Sequence, residues 1–561
     1  MTAVQDPDPT PGPGSPPGPD PTPGPEPAPG PRRTRGGRRR RTLSVLAGCA
    51  LLPAALYPAA PAAAPSAARP AGADGTAAHS AADAGIPAEL RRYYRQRLQW
   101  EPCPSRPSYQ CATLDVPLDY ARPRAGELQL TAARKKATGN GAGLGSLLVN
   151  PGGPGASAID YLTGGGADVF SPSVRASYDL VALDPRGVQY STPVLCESGT
   201  SSATLGTGRR VSAESTRLAA SDAAYEQLTD ACAQRAGKLL PHVGTLDAAR
   251  DMDVLRALLG DERLHYVGFS YGTYLGATYA GLFPSRVGRM VLDGAVDPTI
   301  DGYQDFLDTA RGFQVAWESF AADCAARADC PLGRSTGQIG RALDALRDRL
   351  DSTPLRQGKD ISITGDDLLT AVVAGLEAPN WQLLRAALQG ALKGDTTALQ
   401  QLLAPATDTS SNAGDAFFAI SCLSEPLAPR STPAQVQAAL GQFLRASPQF
   451  GKFYATQLMQ CSHWPVRPVQ PSGRVTAPGA APILVLGTTR DPATPYPWAK
   501  ALAAQLSSGR LLTYDADGHT AYHRGSACVD DAVDRYLAQG RLPAPGTVCT
   551  DQARPAAPPP E

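Results

Sequence analysis

The sequence predicts an α/β fold: a doubly wound, mostly parallel sheet carrying a large helical insertion. Three observations predict it. Short apolar runs recur from about residue 112 to 292 and again after 482, with helix-period stretches between many of them. Several of these runs end in glycine- or aspartate-bearing turns, at the strand ends where a parallel sheet opens its crevice. Between about 300 and 460 the apolar residues recur at helical spacing, as in Ile339, Leu343, Leu346 and Leu350. Alternating strands and helices imply a sheet covered on both faces.

The chain has 561 residues, more than one simple domain needs, and a net charge of zero, which gives no reason to expect a nucleic-acid partner. Residues 1–31 hold thirteen prolines and no aromatic residue, so they cannot bury a core. Arginines cluster up to Arg41, and an apolar run from Thr42 to Tyr57 leads into an Ala-Pro tract ending at Ala64. We expect a disordered extension over 1–41, a secretory signal over 42–64 and a linker over 65–85. The segment also fits a twin-arginine signal at Arg40-Arg41 and a lipobox ending at Cys49, the latter making the chain a cell-envelope lipoprotein. A retained anchor is the third alternative. Pro53, Pro58 and Pro61 break the run, so no stable membrane span is expected there.

Folded sequence starts near Ile86, where PAELRRYYRQRLQW has the pattern of an amphipathic helix. Strands follow at Ala112–Leu118, Glu127–Ala133, Ser146–Asn150, Tyr178–Leu183, Leu264–Val267 and Val287–Leu292. After the insertion come Pro482–Gly487 and Leu511–Tyr514. This divides the chain into a first core segment (86–300), a helical lid (301–460), a second core segment (461–550) and a tail (551–561). Thr364 or Gly365 is placed to cap one lid helix. Of the eleven cysteines, ten lie beyond the signal region, an even number that suits an exported, disulfide-bonded chain. Pairing sequence neighbours gives 103–111, 196–232, 324–330, 422–461 and 528–549. None of the ten has C-x-x-C spacing and few histidines lie near them, so a zinc site is not expected.

The chemistry centres on Gly268-Phe269-Ser270-Tyr271-Gly272, a G-x-S-x-G between a strand and a small-residue helix. Glycines two positions either side of the serine allow a sharp turn that projects the hydroxyl. The start of the following helix lends positive potential to an oxyanion. A nucleophilic serine needs a base and an acid to orient that base. Asp491 follows the 482–487 strand and His519 follows the next, giving the order Ser270, Asp491, His519. His523 shares the last loop but lies farther from the strand end. Asp293 also ends a strand and competes for the acid's role, whereas Asp184 comes too early and, with Arg186, reads as a structural ion pair or loop brace. For the oxyanion hole, Tyr271 supplies one N–H, and the loop Gly152-Gly153-Pro154-Gly155 supplies another, from Gly153 ahead of Gly152.

Six motifs in this order, NPGGPG (150–155), DPRG (184–187), GFSYGTYLG (268–276), VLDG (291–294), TRDPATP (489–495) and GHT (518–520), resemble the secreted actinobacterial tripeptidyl aminopeptidases. These belong to the prolyl-iminopeptidase-like branch of the α/β-hydrolases, and the likeness runs from about residue 90 to 550. The resemblance implies a serine exopeptidase that removes short N-terminal peptides, with acid and histidine in a C-terminal segment. That family's usual His-Gly-Gly-Pro-Gly stands here as Pro151-Gly152-Gly153-Pro154-Gly155, so any role of that histidine is missing. A related, lipidated group is called carboxylesterase.

An aminopeptidase must bind a free α-ammonium, and Glu425, after Cys422 and before Pro426, is the lid carboxylate singled out for it. The expectation is an exported serine aminopeptidase acting on peptides with a free N-terminus, without metal or organic cofactor. A carboxylesterase with the same triad and a non-catalytic envelope-binding protein are the alternatives.

Overall fold

The computed structural model describes residues 86–139, 143–196, 214–357, 361–407, 410–424, 427–468 and 473–550. The expected extension, signal, linker and tail, with Cys49, lie outside the described residues, and so does Glu425.

The strands are β1 (Glu101–Cys103), β2 (Arg106–Pro117), β3 (Glu127–Lys135), β4 (Ser146–Asn150), β5 (Asp179–Leu183), β6 (Leu264–Phe269) and β7 (Val287–Asp293). Two short strands, β8 (Leu355–Gln357) and β9 (Ile361–Ile363), form a hairpin inside the insertion, and β10 (Ile483–Arg490), β11 (Gly509–Asp517) and β12 (Val548–Thr550) complete the core. Among the described residues, ten strands form one sheet in the order β1-β2-β3-β5-β4-β6-β7-β10-β11-β12. Pairing is antiparallel from β1 to β5 through β2 and β3, and parallel from β5 onward.

The central strands read as unbroken apolar runs because both faces are covered. All five residues of β4 are buried. Leu148, Tyr266, Met290 and Val485 pack on one face of the sheet, while Val149, Val267, Val291, Leu484 and Leu486 pack on the other. The chain passes from β4 to β5 on one side and then crosses from β5 to β6 on the other side of β4. The switch point of the sheet therefore falls where the loop after β4 meets the loop after β6.

Helices α1 (Thr245–Leu259) and α2 (Tyr271–Leu282) flank the nucleophile strand. The insertion contributes α3 (Gly302–Ala325), α4 (Gly365–Glu377), α5 (Ala413–Ser421) and α6 (Gly451–Gln457), among others. Helix α4 opens with a capping box: the Thr364 hydroxyl accepts from Asp367 N–H, and the Asp367 carboxylate accepts from Thr364 N–H at 2.8 Å. The β8–β9 hairpin is a difference from the all-helical insertion expected from sequence. Strands of three residues carry too little pattern to register.

The helix expected after Ile86 also ends early, at Tyr94. The side chain of Gln96 donates to the carbonyls of Tyr93 and Asp115 and accepts from Asp115 N–H, turning the chain along β2 instead. All five sequence-neighbour cysteine pairs are disulfides, with Cα–Cα separations of 5.0, 4.0, 5.1, 5.3 and 5.6 Å in chain order.

Asp184 and Arg186 do not pair with each other; each braces a different junction. Asp184 accepts from Ser157 Oγ and from the N–H groups of Ile159 and Tyr190. Arg186 is fully buried against Asp251 of α1, with two nitrogens at 2.7 Å from its two carboxylate oxygens.

Candidate active site

Ser270 stands between β6 and α2 with φ 55° and ψ −124°, a conformation strained for any residue with a Cβ. The neighbouring packing holds it there. Ser270 N–H donates to Asp293 O at 2.9 Å, tying the turn to β7, and Ser270 O accepts from the N–H and hydroxyl of Thr273. A Cβ on Gly268 would overlap the Gly272 carbonyl, and one on Gly272 would lie 2.9 Å from the Asn150 carbonyl. The two glycines are thus required by close approach as well as by the turn.

The loop after β4 runs against this elbow. A Cβ on Gly152 would sit 2.9 Å from Ser270 Cβ and 3.2 Å from Tyr271 N, so only hydrogen leaves room there for a substrate carbonyl. Gly152 N–H already donates to Asn150 Oδ1 at 3.0 Å, which favours Gly153 over Gly152 as the loop's oxyanion donor. Tyr271 opens α2, and the first N–H groups of a helix have no partner within it. The Tyr271 hydroxyl is held by Thr245, which also meets Ser424 of the insertion, both at 2.7 Å.

Asp491 and His519 follow β10 and β11. The imidazole Nδ1 lies 2.9 and 3.0 Å from the two oxygens of Asp491, which is 2% exposed. That carboxylate also accepts from the N–H groups of Ala493, Thr494 and Thr520 and from the Thr494 hydroxyl. Four donors and an imidazole therefore surround one buried charge, as burial of a carboxylate requires. Burial opposes protonation of His519, but the Asp491 carboxylate outweighs it, helped by Glu377 and Asp293, and the pKa lies above the ordinary histidine value. Beneath the ring, a Cβ on Gly294 would sit 3.1 Å from His519 Cε1. Gly294 follows Asp293, whose carbonyl receives Ser270 N–H, so one short segment links imidazole and elbow.

Asp293, the competing acid, is turned elsewhere. Its carboxylate accepts from Ala521 and Tyr522 N–H, bracing the loop that carries His519, and burial pushes its pKa up to about 6. The other histidines described lie apart. His265 Nδ1 accepts from Arg289 N–H, His463 meets Asp222, and His523 is exposed.

The insertion reaches each of the three site loops. A Cβ on Gly155 would lie 2.6 Å from the Ala413 carbonyl of α5, and one on Gly518 would lie 2.6 Å from Pro379 just past α4. Gly312 of α3 abuts the Pro492 carbonyl. His519 N–H donates to the carbonyl of Glu377, the last residue of α4, at 2.8 Å. Sequence reasoning missed Glu377. The available signal was an acid in a helix's last turn, where the dipole disfavours it.

Thr494 Oγ1 donates to Asp491 Oδ2 at 3.0 Å and lies 3.3 Å from His519 Nδ1. Thr494→Val is expected to lower kcat roughly tenfold, since it removes one charge-assisted hydrogen bond from the carboxylate. Steady-state kinetics would check this, and an unaltered kcat would show that the hydroxyl is dispensable.

The strand order, the elbow at the switch point and the order of serine, aspartate and histidine define a serine hydrolase of the α/β-hydrolase class. A family model described as TAP-like protein matches residues 447–549. Serine protease Hip1 of Mycobacterium tuberculosis (strain ATCC 25618 / H37Rv) is 36% identical over 480 residues, covering 81% of this chain and 91% of that protein. Carboxylesterase B of the same organism is 34% identical over 453 residues, with 78% and 86% covered. Tripeptidyl aminopeptidase of Streptomyces lividans is 32% identical over 544 residues, with 92% and 96% covered. The chain belongs to the TAP-like family of α/β-hydrolases.

Proposed function

We propose that this enzyme is an exported aminopeptidase that releases short, tripeptide-type N-terminal fragments through an acyl-enzyme. The observation that carries hydrolysis is the Asp491–His519 pair, 2.9 Å apart, on the loops facing the Ser270 elbow. Ser270 Oγ attacks the scissile carbonyl carbon while His519 Nε2 takes its proton. Asp491 holds the Nδ1–H tautomer and the imidazolium that forms. The N–H groups of Tyr271 and Gly153 receive the oxyanion. Collapse breaks the C–N bond, His519 gives its proton to the leaving amine, and water then releases the fragment from Ser270.

The aminopeptidase reading draws support from the Streptomyces relative, alike over 92% of this chain, and from the insertion that crowds the site loops. Export draws support from the five disulfides and from the basic-then-apolar segment around residues 32–57. Among the described residues no helix is long and apolar enough to cross a membrane. Likeness to Carboxylesterase B favours an esterase as the second reading.

A panel of aminoacyl, dipeptidyl and tripeptidyl p-nitroanilides, each free and N-acetylated, separates the two. Free tripeptidyl substrates should give the highest kcat/KM, and acetylation should lower it at least about tenfold. Acetylated substrates cut as fast as free ones would overturn the aminopeptidase reading.

A further inference from the structure

Two carboxylates of the insertion lie on helices that meet the site loops and accept no hydrogen bond among the described residues. Glu377 ends α4, its carbonyl bound to His519 N–H, and its carboxylate is near enough to His519 and Asp491 to feel both charges. Asp305 lies in the first turn of α3 and is nine-tenths buried. It shares a helix face with Gly312, seven residues on, which abuts the loop carrying Asp491. Both carboxylates act on one hydroxyl, that of Tyr454 on α6, which burial first and then these two charges push well above its ordinary pKa.

Tyr454 is fixed by aromatic packing, stacked on Phe313 at 5.4 Å and tilted against Phe306 at 6.4 Å. Among the described residues, no hydrogen bond reaches the side-chain oxygens of Glu377, Asp305 or Tyr454, and no arginine or lysine offsets either acid. Burial pushes the Asp305 carboxyl up to about 8 and the Glu377 carboxyl upward too. A largely or partly buried carboxylate with no cation beside it is costly to ionise, so each of these acids gains from an incoming cation.

We propose that Glu377, Asp305 and the Tyr454 hydroxyl together form the subsite that receives the α-ammonium group of the peptide substrate. This rests on the aminopeptidase reading and moves the amine-binding role from Glu425 to residues on α3 and α4. An ammonium has three donors and no acceptor, which suits two carboxylates and a phenol oxygen.

The test compares wild type with Glu377→Gln, Asp305→Asn and Glu425→Gln, each checked for an unshifted thermal melt. The readout is the ratio of kcat/KM for a free tri-alanyl p-nitroanilide to that for its N-acetyl form. Glu377→Gln and Asp305→Asn should each lower this ratio at least about tenfold, chiefly through KM for the free peptide. Glu425→Gln should leave the ratio within about twofold. A ratio that falls only in Glu425→Gln, or in none of the three, overturns the proposal. An N-acetyl-Ala-Ala-Lys p-nitroanilide separates the two sources of a cation. Loss confined to that lysyl substrate would make the subsite a side-chain pocket and overturn the α-ammonium assignment.

If wild type hydrolyses p-nitrophenyl butyrate but no peptide, the aminopeptidase reading fails by itself. The subsite is then read by competitive inhibition of that ester by tri-alanine. A tenfold weaker Ki in Glu377→Gln supports it, and no inhibition of wild type overturns it.

Discussion

Ser270→Ala is expected to lower kcat by about 10⁶-fold, and Asp491→Asn by about 10⁴-fold. Asp293→Asn should fall well short of either. Asp293 ends β7, Asp491 follows the neighbouring β10, and both are buried, so the contrast isolates what each carboxylate touches. Asp491 places both oxygens within 3.0 Å of His519 Nδ1. An amide there offers the ring an N–H where it needs an acceptor, and the imidazole takes the wrong tautomer. Asp293 instead receives two backbone N–H groups, and an asparagine keeps an acceptor for them. The pH profile adds a second readout. As the proposed base, His519 works only when neutral, so activity should be present above its raised pKa and be lost as pH falls through it. Without the Asp491 charge, the acid limb of any residual activity should move to lower pH. A fluorophosphonate probe should label wild type and not Ser270→Ala. Unlabelled wild type would favour the non-catalytic binding protein, and a larger loss in Asp293→Asn than in Asp491→Asn would reassign the acid.

Local chemistry was readable where it repeats along the chain, and the rest depended on which elements the fold stacks together. The elbow shows in sequence because its two glycines sit at fixed offsets from Ser270 between a strand pattern and a helix pattern. The strands after residue 482 show for the same reason, and with them the loops bearing Asp491 and His519. Choosing between Asp293 and Asp491 was not a matter of pattern. β7 lies between β6 and β10, and its last residue is spent on bracing the 521–522 backbone, a contact 228 residues away in the chain. Glu377 was invisible in the same way: its bond to His519 N–H joins two segments with no common periodicity. The helix after Ile86 had the right amphipathic period, yet the pairing of Gln96 with Asp115 ended it at Tyr94. Local pattern ranks what a segment prefers, and tertiary hydrogen bonds decide where that preference stops.

Removing one partner of the Arg186–Asp251 pair is expected to cost about 3–5 kcal/mol of folding stability. Neither residue exposes any surface. Beyond its two bonds to Asp251, Arg186 donates to the carbonyls of Pro117, Leu118 and His242, while Tyr120 donates to Asp251. One guanidinium thus joins the end of β2, the turn after β5 and the segment leading into α1. Asp251→Ala strands a buried cation that cannot lose its proton, leaving it three carbonyl dipoles and the more distant Asp247 carboxylate at 3.7 Å. Arg186→Met leaves a buried carboxylate with a single tyrosine hydroxyl. Urea unfolding followed by fluorescence should show both losses as a lower midpoint. The double variant Arg186→Met/Asp251→Leu tells charge stranding from lost packing, because replacing both charges by apolar groups removes the uncompensated one. It should recover a large part of what either single variant loses. Equal or greater loss in the double variant would mean that the three carbonyl bonds of Arg186, and not its charge pairing, hold this junction together.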